Sequence, residues 1–146
     1  MNLQDLNSGT PATKQWLNPV VGSLTTGAVY ESSTYTNVTV SPTTLTPSQY
    51  VGAIIQATNG EDITINTPAA SDFKTYFGNE LTTGFTFTTN FYKNAAFNGT
   101  INLGTGVLTY GGASSIAMTS ANGQNNIQMI YRYTGTSWVV YYIRGS

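Results

Sequence analysis

The segment QMIYRYTGTSWVVYYIRGS, residues 128–146, decides how the chain is built. Two runs of aromatic and β-branched residues flank TGTS, the composition of two strands joined by a tight turn. With Gly135-Thr136 at the turn centre, Thr134 faces Ser137, Tyr133 faces Trp138, Tyr131 faces Val140 and Met129 faces Tyr142. One face of this hairpin then carries Met129, Tyr131, Tyr133, Trp138, Val140 and Tyr142, and the other carries Ile130, Arg132, Val139, Tyr141 and Ile143. A half-buried strand alternates apolar and polar side chains. Here both faces are largely apolar, so both are expected to lose water. A two-layer domain uses one face for its core and leaves the other for a covering arm or a second subunit. The residues expected at a subunit interface are Ile130, Tyr131, Tyr133, Trp138, Val139, Tyr141, Tyr142 and Ile143. Each large apolar side chain buried there would contribute ~1.5–3 kcal/mol.

Working outward, the 146 residues are most simply a domain large enough to bury a core. Hydrophobic residues make up 40% and aromatics 12%, too much for a disordered chain. Charged residues are only 8%, and Thr, Asn, Ser and Gly fill the gap. Thr favours strands and the other three favour turns, which points to an all-β fold. So little charge also gives little colloidal repulsion, and burial of surface against copies of the same chain is one answer.

Strand-like segments follow in series. TYTNVTV (34–40) alternates, and SPTTLTPSQ (41–49) reads as a Pro-broken loop or edge. YVGAIIQAT and EDITIN are separated by Asn59-Gly60, a pair suited to a type I′ hairpin turn, which would set Ile54 opposite Ile65 and Gln56 opposite Ile63. One short helix is expected near 68–77, with Thr67 as N-cap, Pro68 at the first helical position, Gly78 at the end, and Phe73, Tyr76 and Phe77 on one apolar face. GFTFTTNFY, GTINL, VLTY and SSIAMTS then read as strands punctuated by Asn98-Gly99, Gly111-Gly112 and Asn122-Gly123. Regularly spaced short strands predict an antiparallel β-sandwich of the jelly-roll kind.

Residues 1–30 differ from the rest. KQWLNPVVGSLTTGAVY (14–30) is apolar without a clear period and is interrupted by Pro19, Gly22 and Gly27. It is expected to be an extended N-terminal arm docking through Trp16, Leu17, Val20 and Val21, followed by a β-sandwich head over 31–146. No basic start with an apolar stretch marks a signal peptide, and no apolar run reaches the ~18 residues of a membrane helix. Membrane insertion is not expected.

Several chemistries are excluded by residue type. The chain has no His and no Cys, which removes the usual nucleophile–base pairs and most zinc sites. Of its carboxylates, Asp5, Glu31, Glu61, Asp62, Asp72 and Glu80, the adjacent Glu61 and Asp62 point to opposite faces of a strand and not into one cleft as a glycosidase pair must, and no loop shows calcium-ligand spacing. No catalytic residue, metal or cofactor is therefore expected. The five basic residues are scattered and the net charge is −1, so nucleic acid is not an expected partner. A carbohydrate-binding module is the competing reading, because sugar sites combine an aromatic platform with Asn, Asp and Thr; Tyr30, Tyr35, Tyr50 and Tyr110 are the platforms the strand ends would offer.

Taken in order, KQWLNPVVGSL, TPAASDFKTYFGNELTTGFTFTT, GTGVLTY and ANGQNNIQMIYRYTGTSWVVYYIRGS resemble the head module of fibre-like and collagen-like structural proteins of amoeba-infecting giant viruses and their virophages. The resemblance runs from Lys14 onward. No Gly-X-Y run is present, so the collagen-like stalk of that family is missing. The resemblance implies a trimeric head of jelly-roll or tumour-necrosis-factor-like shape, located on the virion and held to a capsid component by the arm. It also implies capsid decoration or attachment to a host glycan or surface receptor.

Overall fold

The computed structural model divides into two units, Met1–Tyr30 and Glu31–Ser146, and describes residues 29–30 and 34–145. In the first unit the described part is strand β1, Val29–Tyr30. The arm-docking residues Trp16, Leu17, Val20 and Val21 lie outside the described residues.

The second unit runs β2 (Tyr35–Val38), β3 (Thr43–Thr44), α1 (Pro47–Tyr50), β4 (Ile54–Ala57), β5 (Ile63–Asn66), α2 (Ala70–Phe77), β6 (Thr86–Tyr92), β7 (Gly99–Asn102), β8 (Val107–Thr109), β9 (Ser115–Met118), β10 (Asn126–Tyr133) and β11 (Trp138–Gly145). The larger sheet has the order β2-β4-β6-β10-β11-β8, and the smaller has the order β3-β5-β7-β9. From β2 to β9, successive strands therefore alternate between the sheets.

The winding changes the expected pairing. Over β2 to β7 the chain crosses to the other sheet and returns running in its original direction, so β2, β4 and β6 are parallel neighbours, as are β3, β5 and β7. The opposite sheet's strand supplies the crossover that parallel neighbours require. Among the described residues the antiparallel pairs are β6–β10, β10–β11 and β7–β9. The protein is mostly β with two sheets, but the sheets are mixed and not antiparallel.

The hairpin expected about Asn59-Gly60 does not form, and Ile54 and Ile65 lie in different sheets. A type I′ turn needs positive φ at both central residues, and neither Asn59 nor Gly60 has it. Instead Asn59 Nδ2 donates to the carbonyls of Glu61 (3.1 Å) and Asp62 (3.5 Å), closing a corner. Helix α2 begins later than the Thr67-Pro68 signal suggests, because Thr67 still extends the β5–β7 ladder through its N–H to Asn102 O (2.9 Å). Ala69 is the N-cap, its N–H held by Asp72 Oδ2 at 3.0 Å, and Gly78 ends the helix at φ 54° as expected.

Each sheet keeps one dry face. In the smaller sheet Ile65, Ile101 and Ile116 stand in register, all buried. The next row, on β3, β5 and β7, carries Thr44, Asn66 and Asn102, whose side chains are joined by hydrogen bonds of 3.2 and 3.0 Å. In the larger sheet Ile55, Phe91 and Ile127 form one buried row and Phe87, Tyr131 and Val140 another. Phe73 and Phe77 of α2 pack on this second row, with ring centroids 5.2 Å (Phe73–Phe87), 5.4 Å (Phe73–Trp138) and 5.6 Å (Phe77–Phe87) apart. Tyr76, expected on the same face, is exposed.

Candidate functional site

The terminal hairpin has the register read from its sequence. Tyr133 pairs Trp138, Tyr131 pairs Val140 and Met129 pairs Tyr142. The turn takes its positive φ at Gly135 (φ 102°), and Thr134 N donates to Ser137 O at 2.9 Å. Arg132 pairs Val139, which in turn pairs Leu108 of β8.

The two faces of that hairpin have different fates. Ile127, Met129, Tyr131, Trp138 and Val140 are buried in the core. Tyr131 Oη shares a hydrogen bond with Tyr50 Oη, and burial pushes both phenols above their ordinary pKa. Tyr131 and Trp138, expected among the interface residues, thus serve the interior of their own unit. Tyr133 is half-buried, its ring 5.2 Å from Trp138 and its hydroxyl donating to Gly135 O at 2.7 Å. Tyr142 has core parity yet is exposed, because β8 accompanies β11 only as far as Val140. The Arg144 guanidinium lies 5.1 Å from the Tyr142 ring centroid, within cation–π range.

The outer face forms rows across the sheet. Tyr35, Ile54, Asn90, Gln128 and Ile143 make one row. Thr88, Ile130 and Tyr141 make the next, followed by Thr86, Arg132, Val139 and Leu108. Ile130, Tyr141 and Ile143 are exposed, as are Tyr35, Ile54 and Leu108 on the neighbouring strands, and Val139 is half-exposed. Tyr110, 77% exposed, stacks on Tyr141 with centroids 5.2 Å apart. Arg132 is the only charge in these rows. The surface carries exposed aromatic and aliphatic side chains and a single charge, a composition suited to being covered.

Sequence reasoning missed Tyr35, Ile54 and Leu108 as parts of this face. The V-L-T alternation of β8 gives the parity of Leu108, but its place beside Val139 depends on a parallel pairing that no local signal announces. Of the expected sugar platforms, Tyr35 and Tyr110 are exposed, Tyr50 is fully buried, and the Tyr30 side chain lies outside the described residues.

Polar clusters elsewhere are structural. Asp62 accepts hydrogen bonds from Asn98 N (2.7 Å) and Asn98 Nδ2 (3.0 Å), which hold its carboxyl below the usual carboxylate value. Lys93 donates its Nζ to the carbonyls of Phe97 (2.6 Å) and Gln124, and desolvation lowers its pKa. Among the described residues no group of three or more acidic, His or Cys side chains could hold a metal ion, and no helix is long and apolar enough to cross a membrane. Comparison with family models, curated proteins and solved structures finds no match for this chain.

Proposed function

We propose that this chain is a non-enzymatic virion structural protein, a homotrimeric fibre-head or capsid-decorating unit that assembles through the outer face of its larger sheet. The observation that carries this reading is the exposed group of Ile130, Tyr141, Ile143, Leu108 and Tyr110, with Arg132 as the single charge in its rows. Burial of several such side chains supplies the driving force for association. Consecutive strands change sheet, as in a jelly roll, and we take the head as a variant of that plan with parallel neighbours. Residues 1–30 are assigned to attachment on a capsid component, and the head to contact with a host surface receptor. The resemblance of the WLNPVV, GFTFT and terminal hairpin segments to virus head modules supports the virion setting.

Light scattering at micromolar concentration tests the assembly. A trimeric mass is expected, and a stable monomer would sink the reading. Repeating the measurement without residues 1–30 separates assembly through the sheet face from assembly through the arm.

A further inference from the structure

A pocket of about 460 Å³ opens where β4 and β6 end. These strands are parallel, with Gln56 in register with Tyr92. Their following connections therefore leave from the same end and wall the same space. Thr58 and Asn59 come from the first connection, Asn94 from the second, and the exposed Tyr92 at the end of β6 lines the same space.

The polar groups are fixed at one end and unused at the other. Tyr35 Oη donates to Gln56 Oε1 at 2.8 Å, Asn59 Nδ2 donates to Glu61 O at 3.1 Å, and Ala96 N donates to Asn94 Oδ1 at 2.9 Å. That leaves Gln56 Nε2 and Asn94 Nδ2 as donors and Asn59 Oδ1 as an acceptor, without partners among the described residues. Lys93 lines the pocket, but its Nζ is engaged by the carbonyls of Phe97 and Gln124. No carboxylate lines it.

We propose that this pocket binds a neutral saccharide. The C–H face of a pyranose ring packs on Tyr92, and its hydroxyls, each both donor and acceptor, meet the mixed donors and acceptor of Gln56, Asn59 and Asn94. An anionic ligand would find no free cation here. A purely apolar one would strip water from three amides without replacing their hydrogen bonds. All the lining residues belong to one chain, so the site needs no second copy and does not rest on the assembly reading.

Amide NMR titration of the full chain with N-acetylglucosamine, mannose and galactose, separately, tests the proposal. At least one of them is expected to shift the side-chain amides of Gln56, Asn59 and Asn94. Tyr92→Ala is expected to weaken that sugar about tenfold or more, the loss typical of truncating a central aromatic anchor. Tyr92→Phe, which keeps the ring, is expected to retain most of the affinity and shows that the site itself is intact. The proposal is overturned by no shifts with any of the three sugars, by shifts that survive Tyr92→Ala, or by shifts centred on Tyr110 instead.

Discussion

Tyr50 and Tyr131 meet hydroxyl to hydroxyl in the dry interior, their rings edge-on with centroids 5.6 Å apart. The contact ties the short helix α1 to the terminal hairpin. Thr89, opposite Met129 in the sheet, is buried, donates to Tyr50 O at 2.7 Å and anchors the same helix a second time. The polar pair is satisfied internally, which is the condition under which a buried hydroxyl does not penalise the fold.

This pair predicts alkaline instability. Burial raises both phenol pKa values above the ordinary 10.0, so the folded chain keeps protons that the unfolded chain releases. The stability it contributes is complete below pH 10 and is lost as pH rises beyond it. Lys93 shifts the opposite way, its depressed pKa adding stability as pH rises toward its ordinary 10.5. The tyrosine effect is therefore read as a difference. Urea midpoints between about pH 9 and about pH 11 should fall more steeply for the wild type than for the Tyr50→Phe/Tyr131→Phe double variant.

The two faces of the terminal hairpin should respond oppositely to substitution. Ile143 is 70% exposed and Trp138 only 1%. Ile143→Asp is expected to lower the mass seen by light scattering while leaving the melting temperature of the separated subunit close to that of the unaltered fold. Trp138→Ala should instead cost ~3–5 kcal/mol of folding stability through the cavity left among Phe73, Phe77, Phe85 and Phe87. Denaturant unfolding, run beside the scattering, distinguishes the two.

Trp138 carries a second prediction. Its indole Nε1 is buried with no hydrogen-bond partner among the described residues, and an unpaired buried donor costs about 1–3 kcal/mol. Trp138→Phe removes that donor along with part of the ring. Its net destabilisation should be smaller than that of Phe87→Ala, another fully buried aromatic truncation.

Glycine substitutions should separate close approach from backbone conformation. A Cβ at Gly104 would press into the carbonyl of Pro68 and lie 2.7 Å from Ala69 Cα, both backbone at the entry to α2. Gly112 has open space around it and only a positive φ of 85° to satisfy. Gly112→Ala is expected to cost about 1 kcal/mol, and Gly104→Ala distinctly more, measured as shifts in urea midpoint.

What was legible in the sequence was local. The terminal hairpin register follows from one turn, Thr134–Ser137, and from strict alternation on either side of it. Strands β6, β7, β8 and β9 lie where aromatic and β-branched runs meet glycine-bearing turns. The partner of β4 was not legible. Asn59-Gly60 has the composition of a hairpin turn, but Ile55 and Ile65 each need to face a core, and crossing to the other sheet achieves that for both. The interface estimate included both hairpin faces because alternation separates them without saying which is inside. Phe73 and Phe77 of α2 decide that by packing on Tyr131, Trp138 and their neighbours. Tyr142 escaped the parity argument because the sheet beside it ends early.

The winding of β2 to β7 frees the length of a connection from the alignment of the strands it joins. The stretch from Tyr35 to its partner Ile54 is short, and the stretch from Ile54 to Asn90 is nearly twice as long because it carries α2. Yet the same rows continue across all three strands. Side-chain stacking sets the alignment, and a flexible loop adds only about 0.6 kcal/mol of closure cost for each doubling of its length. Because Lys93, Asp62 and Ile63 hold the corner that ends at Asn98, the corner at Asn59-Gly60 is the natural grafting point. New recognition loops could be exchanged there while the ladder of strands beneath them is left unchanged, which makes the protein a candidate display scaffold.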